Sequence, residues 1–429
     1  MDNNKKVLKI GNIECDDLVE KVGTPAYIYD ADIIKNQVER LNSLHKDVQL
    51  FYSLKANPNP SIVKFIYSLG ANLEICSLKE LEIVEKINAS PERVLYLGPG
   101  KTEKEIRRVL EYGVKYFIIE SLQEMKKINE IGEEKGREIK VGVRLNPSVS
   151  AKGSKLTMGG KPRQFGIDEE QLSEIFALET SLKNVKIVGI HVYNGTRILA
   201  SDVFIENTSH VLNLAKKVIK EYQVDLEFVD IGGGMGIPYF PNESTLDLED
   251  ISKKLSELIP IFHKEVGAKI PIFLESGRYV VGESGVYVTE VLYKKISKNF
   301  EFLTVDGGTH HHMAAGGMGN ALKKNFPIKV LNKYDEEPEI EYYISGPLCT
   351  PNDLIAKKIK LPQTQTGDLI GILNAGAYGL TASPVLFLSH YLPVEVLVQQ
   401  DNYMVIRENT EYDSPDIREF QEVEEVLNT

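Results

Sequence analysis

The sequence predicts an α/β chain in which a (β/α)8 barrel spans residues 31–280 and an all-β domain is built from residues 1–30 and 281–429. Two features carry that expectation. From residue 31 to about 280, short apolar runs alternate with longer amphipathic stretches, the pattern of repeated βα units. After residue 280 the texture shifts to β-branched and aromatic residues with glycine-containing breaks. A length of 429 residues exceeds one ordinary core, so two units suit it.

Eight segments read as barrel strands: VQLFYSL (48–54), NLEIC (72–76), RVLYLG (93–98), YFIIE (116–120), VGVRL (141–145), VGIHVY (188–193), LEFVDI (226–231) and IFLES (272–276). Stretches such as SLQEMKKINEIGEEKG and DVFIENTSHVLNLAKKVIKEY lie between them, with apolar positions at helical spacing. In such a barrel, active-site residues sit at the C-terminal ends of the strands. SGVYVTEVLYKKIS, EFLTVDGG, EYYISGPLC, GDLIGILNAGAY and NYMVIRE supply the β domain, and PAYIYD (25–30) joins it. Both termini therefore belong there. No internal repeat or low-complexity tract is present, and the tail REFQEVEEVLNT (418–429) reads as dispensable.

Hydrophobic content of 42% with 26% charged residues describes a soluble globular protein. No apolar run approaches the length of a membrane span, and the start MDNNKKVLKIGNIECDD lacks the apolar stretch of a signal peptide. A cytoplasmic location is expected. Cys15, Cys76 and Cys349 are too few and scattered for a disulfide framework or zinc cluster. A net charge of -12 excludes a nucleic-acid binder, which needs a basic footprint.

The chemistry-bearing residues fall at the strand ends. In FYSLKANPNP (51–60), Lys55 follows Phe51, Tyr52 and Leu54, where solvation is poor. Desolvation disfavours the charged form, so such a lysine is expected to have a lowered pKa and to act as a nucleophile toward a carbonyl. DIGGGMGIPY (230–239) follows the seventh strand; glycines in a row leave backbone N–H groups free to curl round an anion. It is not a dinucleotide fingerprint, since Ile237 stands where the last glycine belongs. GPGKTE (98–103) resembles a phosphate loop but has Leu95 in place of the first glycine.

ESGRYVVGES (275–284) closes the eighth strand with Glu275 and Arg278. Together they meet both polar needs of pyridoxal phosphate: a carboxylate keeps the pyridine nitrogen protonated, and a guanidinium forks onto phosphate. In IHVYNGTR (190–197), His191 and Tyr193 are aromatics able to stack on a flat cofactor, and Thr196 has a hydroxyl for its phosphate. SGPLCTPND (345–353) and NAGAYG (374–379) set Cys349 and Tyr378 beside glycines. In THHHM (309–313), strand alternation would point only His310 and His312 the same way, with no carboxylate close in sequence; no metal site is expected.

These motifs, in this order, resemble the fold type III pyridoxal-phosphate decarboxylases, which include the diaminopimelate, ornithine and arginine decarboxylases. The likeness runs from TPAYIYD to PVEVL. YSLKAN is similar to the family's Schiff-base motif, DIGGGMG to its phosphate-binding glycines, ESGR to its pyridine-nitrogen and phosphate motif, GPLC to its catalytic-cysteine motif, and GAY to the segment with a cofactor-contacting tyrosine. The resemblance implies that Lys55 carries the cofactor, Glu275 pairs with the ring nitrogen, and Gly233, Gly234, Gly277, Arg278 and Tyr378 hold the phosphate end. It also implies that Glu74 lies near the Schiff-base end of the cofactor. Cys349 would come from a neighbouring subunit to assist protonation, so a homodimer with shared sites is expected.

Two departures stand out. Where the family commonly stacks a histidine on the ring, this chain has Tyr193, with His191 two positions earlier on the same strand face, so the stacking role stays shared between them. The CES of diaminopimelate enzymes is CTP here, and Thr350 cannot pair with a distal ammonium. GPLCTPND, MGGKPRQFGI, HVYNGT and GGTHHH resemble the branch that acts on a glutamyl group thioesterified to an acyl carrier protein, as in butirosin biosynthesis. That branch implies a secondary-metabolite pathway and an acyl carrier protein as partner. Carrier proteins are acidic, so a local basic patch at Lys294 and Lys295, or Lys323 and Lys324, would have to face one. Decarboxylation of a free amino acid such as diaminopimelate is the alternative, and a non-catalytic relative a weaker one.

Overall fold

The structure is a computed structural model that describes residues 7–148, 156–157, 164–316 and 324–409. Part of MGGKPRQFGI, Lys323 and the C-terminal tail fall outside the described residues. All eight apolar runs form barrel strands: Val48–Ser53, Asn72–Ile75, Val94–Tyr96, Tyr116–Ile119, Ile139–Asn146, Val185–His191, Phe228–Asp230 and Ile272–Ser276. Each pairs in parallel with the next, and Ile272–Ser276 closes the ring on Val48–Ser53 with Glu275 opposite Phe51.

Helices return the chain between strands, and their ends are chemically marked. Asp30 Oδ1 accepts from the backbone of Asp32 and Ile33 to start Ala31–Asn42, and Thr102 with Glu105 forms a capping box for Glu103–Tyr112. Such caps satisfy N–H groups that have no partner inside the helix and contribute about 1 kcal/mol each. Apolar faces of these helices pack on the outside of the barrel, where Ile106, Val109 and Leu110 are buried.

The barrel interior is plugged by aromatics. Phe228 and Phe273 stack with centroids 4.8 Å apart, and Phe51 lies 4.5 Å from Phe273. Room for Phe228 comes from two glycines on neighbouring strands: a Cβ at Gly189 would sit 2.2 Å from its ring, and one at Gly142 2.8 Å. With the bottom filled, only the C-terminal mouth can receive a ligand.

Beyond the barrel, one sheet runs in the order Leu354–Leu361, Ile340–Ser345, Phe300–Val305, Gly285–Ser297, Ala26–Asp30, Val394–Gln399 and Asn402–Arg407. Ala26–Asp30 thus pairs with strands from the far end of the chain, antiparallel to Gly285–Ser297 and parallel to Val394–Gln399. Residues 309–311 form a turn, not the strand assumed for THHHM, and all three histidines are buried. No helix among the described residues is long and apolar enough to cross a membrane.

Candidate active site

The mouth of the barrel holds a cavity of about 340 Å3 lined by Lys55, Cys76, Tyr96, Arg144, His191 and Glu275, with Tyr193 and the 97–101 turn beside them. Each of those six sits at or just beyond the end of a different strand. The polypeptide turns sharply after Val48–Ser53: Leu54–Ala56 is a single 3-10 turn, and Asn59 accepts from Ser61 N to start the helix Pro60–Ser68. Lys55 is thereby held over the cavity, with 38% of its side chain exposed.

Lys55 Nζ donates to Glu74 Oε1 at 2.7 Å and lies 4.0 Å from Cys76 Sγ. Burial pushes the ammonium pKa down, but Glu74 above all, with Glu275, outweighs it and holds the pKa well above the ordinary lysine value. The lowered pKa expected from the apolar run is thus corrected: acidic groups remote in sequence converge on the amine and favour its charge.

Across the cavity, Glu275 is 2% exposed and its Oε1 is 3.3 Å from His191 Nε2. That pair is misaligned for a hydrogen bond, which leaves Glu275 Oε1 and both His191 ring nitrogens buried without partners among the described residues. Asp230 lies close by. Burial and the neighbouring Glu275 push the Asp230 carboxyl well up; Glu275 is also penalised by burial, but His191, Lys55 and Arg144 bring it below the ordinary range. Of two adjacent buried carboxyls, the environment thus favours the proton on Asp230 and the charge on Glu275. Asp230 Oδ1 accepts from Gly232 N at 2.8 Å, which ties it to the glycine run.

The run itself needs glycine for steric reasons as well as for its donors. A Cβ at Gly233 would come within 2.0 Å of the Glu275 carbonyl, and one at Gly234, where φ is 96°, within 2.1 Å of the Gly195 carbonyl. Gly234 O accepts from Ile198 N and Gly236 N donates to Ile198 O, so the run zips against the segment after His191. Among the described residues, the N–H groups of Gly233 and Gly234 have no acceptor. Gly277 lets the last strand pass the lysine turn, since its Cβ would lie 2.7 Å from Ala56 Cβ.

Arg278 does not pair with Glu275. Its Nη1 donates to Tyr239 Oη at 2.7 Å, its guanidinium sits 4.7 Å from the Tyr378 ring, and its Nε is buried without a partner. Tyr378 is anchored by its own N–H, which donates to Ala56 O at 2.9 Å. Tyr193 lies beyond the strand that ends at His191, so the two do not share a strand face, although both line the cavity.

Cys349 is exposed and does not line this cavity. Lys294, one of the expected basic residues, is 2.7 Å from Glu301, and Lys324 sits 5.2 Å from the Phe240 ring. Sequence reasoning missed four contributors: Cys76, Asp230, Tyr239 and Arg144. Asp230 and Tyr239 stand at the two ends of DIGGGMGIPY, and Arg144 interrupts an apolar run close to its end; that signal was available.

A buried carboxylate, free backbone N–H groups and a guanidinium arranged round a lysine suit a phosphorylated pyridine aldehyde. Fold and site together define a barrel enzyme of the pyridoxal-phosphate class. Residues 31–282 match the family model described as pyridoxal-dependent decarboxylase, pyridoxal binding domain. The chain belongs to this family, and it is a pyridoxal-phosphate-dependent amino-acid decarboxylase. Over 404 residues it is 36% identical to the L-glutamyl-[BtrI acyl-carrier protein] decarboxylase of Niallia circulans, covering 93% of this chain and 94% of that one. Diaminopimelate decarboxylase of Aquifex aeolicus is 31% identical over 411 residues, 95% of this chain and 94% of its own. The crystal structure of diaminopimelate decarboxylase from Helicobacter pylori complexed with L-lysine superposes with a TM-score of 0.83 at 30% identity, covering 92% of this chain and 96% of that chain.

Proposed function

We propose that the substrate is an amino acid whose distal end is neutral and extended, a glutamyl group thioesterified to an acyl carrier protein. The observation that carries this reading is the charge pairing along the outer cavity. Lys101 donates to Glu124 Oε1 at 2.6 Å. Arg144 Nη1 donates to both oxygens of Glu120, at 3.0 and 3.2 Å. Glu105 Oε2 accepts from the backbone and hydroxyl of Thr102. A distal carboxylate thus finds no unpaired cation among the described wall residues, and stripping water from it there goes uncompensated, whereas the partners of Glu105 are neutral donors. Similarity to the Niallia circulans enzyme points the same way.

In this reading Lys55 would hold the cofactor, Glu275 would meet its ring nitrogen, and His191 and Tyr193 would lie beside the ring. Glu74 sits at the Schiff-base end. Gly233, Gly234, Thr196, Gly277, Arg278 and Tyr378 surround the phosphate. Bound here, pyridoxal phosphate supplies an electron sink for the carbanion left as CO2 departs. Glu275 keeps its negative charge where a ring N–H would donate, and Asp230 stays protonated behind it. Arg278, steadied by Tyr239, offers its Nε to an anion. Cys349, exposed in one subunit, serves the site of a second copy as a proton donor, so the working unit is a homodimer. Three free cysteines without a disulfide among the described residues accord with a reducing cytoplasm.

Holoenzyme supplied separately with glutamyl-loaded carrier protein, free glutamate and diaminopimelate decides the matter. CO2 is expected from the loaded carrier protein. Release from diaminopimelate alone overturns the reading.

A further inference from the structure

Glu74 is completely buried, and one of its oxygens serves two donors. Oε1 accepts from Lys55 Nζ at 2.7 Å and from Cys76 Sγ at 3.1 Å, while Oε2 is buried without a partner. Cys76 is set for this by its own backbone: its N–H donates to Glu80 Oε2 at 2.6 Å, which fixes the turn between the strand Asn72–Ile75 and the helix Leu78–Lys86. Burial raises the thiol pKa far above its ordinary value, with Glu74 and Glu80 adding to that and Lys55 opposing it. The sulfur therefore keeps its hydrogen and acts as a donor, not as a nucleophile.

An amine that makes and breaks a covalent bond in each turnover changes both its charge and its hydrogen count. Glu74 stays buried throughout. A buried carboxylate that loses its only donor carries the full desolvation penalty. We propose that Cys76 is a positioning residue: its thiol is the donor that holds Glu74 in place when Lys55 lets go. The inference rests on Lys55 being the cofactor-linked amine. The other titratable groups facing this cluster are Glu80, Tyr96, Tyr193, Asp230, Glu275 and Tyr378.

The consequence has a sign. When the linkage nitrogen gives up its last proton, Glu74 in the wild type still has the thiol, whereas in Cys76→Ala it has nothing. Deprotonation then costs more and its midpoint moves up, by roughly one pH unit for one lost bond to a charged acceptor.

The test is a spectrophotometric pH titration of the lysine-bound chromophore in the holoenzyme. Cys76→Ala should titrate at higher pH than wild type, and Cys76→Ser, which keeps a donor, close to wild type. Should the alanine variant not fold, Cys76→Val refills the volume without a donor and carries the same comparison. A midpoint unchanged in the donor-free variant, or shifted equally in the serine variant, overturns the inference. If Lys55→Ala keeps the visible band, the lysine assignment falls and this inference with it; if that band is lost but Cys76→Ala titrates like wild type, only this inference falls.

Discussion

The backbone N–H of Tyr378 donates to the carbonyl of Ala56 over 2.9 Å, so a residue of the β domain is fixed against the turn that carries Lys55. Asn57 reinforces the junction by donating from Nδ2 to Gly376 O at 3.2 Å. Its Oδ1 also accepts from Asn59 N. The position of Lys55 is therefore set jointly by barrel and sheet.

Asn57→Ala should loosen that junction. Removing a buried amide strands its partners and costs about 1–3 kcal/mol. Chemical denaturation of the variant should show a lower midpoint, and its pyridoxal phosphate affinity should drop. Wild-type values for both would mean that the junction is idle.

Gly233→Ala introduces a methyl 2.0 Å from the Glu275 carbonyl, a contact that only backbone movement can relieve. Overpacking of this kind costs about 1–3 kcal/mol. Because the shift displaces both the anion-facing N–H groups and Glu275, cofactor binding should weaken at least about tenfold, one decade being about 1.4 kcal/mol. Equilibrium dialysis of the variant against pyridoxal phosphate measures it.

Arg144 and Glu120 are 8% and 2% exposed at the side chain and share two hydrogen bonds. Glu120 also accepts from Gly98 N and Gly166 N, which anchors the turn over the cavity. Arg144→Met leaves that carboxylate buried without its counter-charge, a loss of about 3–5 kcal/mol. The double variant Arg144→Met with Glu120→Gln should recover part of it; no recovery in a denaturant titration would argue against charge as the cause.

His310, His311 and His312 link the fold to pH. Burial pushes their pKa values down, to about 3, 4 and 3, with His390 adding to the effect on the first two. The folded chain keeps them neutral, while the unfolded chain takes up protons near the ordinary histidine value of 6.5. The unfolded state thus binds more protons below that pH, and stability falls as pH falls from about 6.5 toward 4, by up to about 4 kcal/mol per pH unit for three such groups. Urea midpoints measured across that window should decline steeply, and less steeply in a His310→Leu variant.

Legibility in the sequence followed locality. All eight barrel strands were readable because each is a short apolar run bounded by turn signals, and burial on both faces demands that composition. Lys55, Glu275 and Arg278 stand out in the sequence because each interrupts an apolar context where a barrel places its chemistry. The same signal at Arg144 went unused, since its partner Glu120 lies just past the end of another strand. THHHM was misread because alternation says nothing until a strand exists, and those residues turn to pack against Tyr27, Tyr287 and His390.

The order of apolar runs and the glycines determined by themselves the kind of barrel this chain makes, and the charged side chains at the ends of those runs marked part of its mouth. The protonation of those side chains was decided only by tertiary structure. Glu74 and Glu275 arrive from other strands to favour the charge on Lys55, and the Asp230 carboxyl is pushed up by burial first and then by Glu275 on the next strand. Coulomb interactions depend on distance through space, and in a closed barrel that distance bears no relation to separation along the chain.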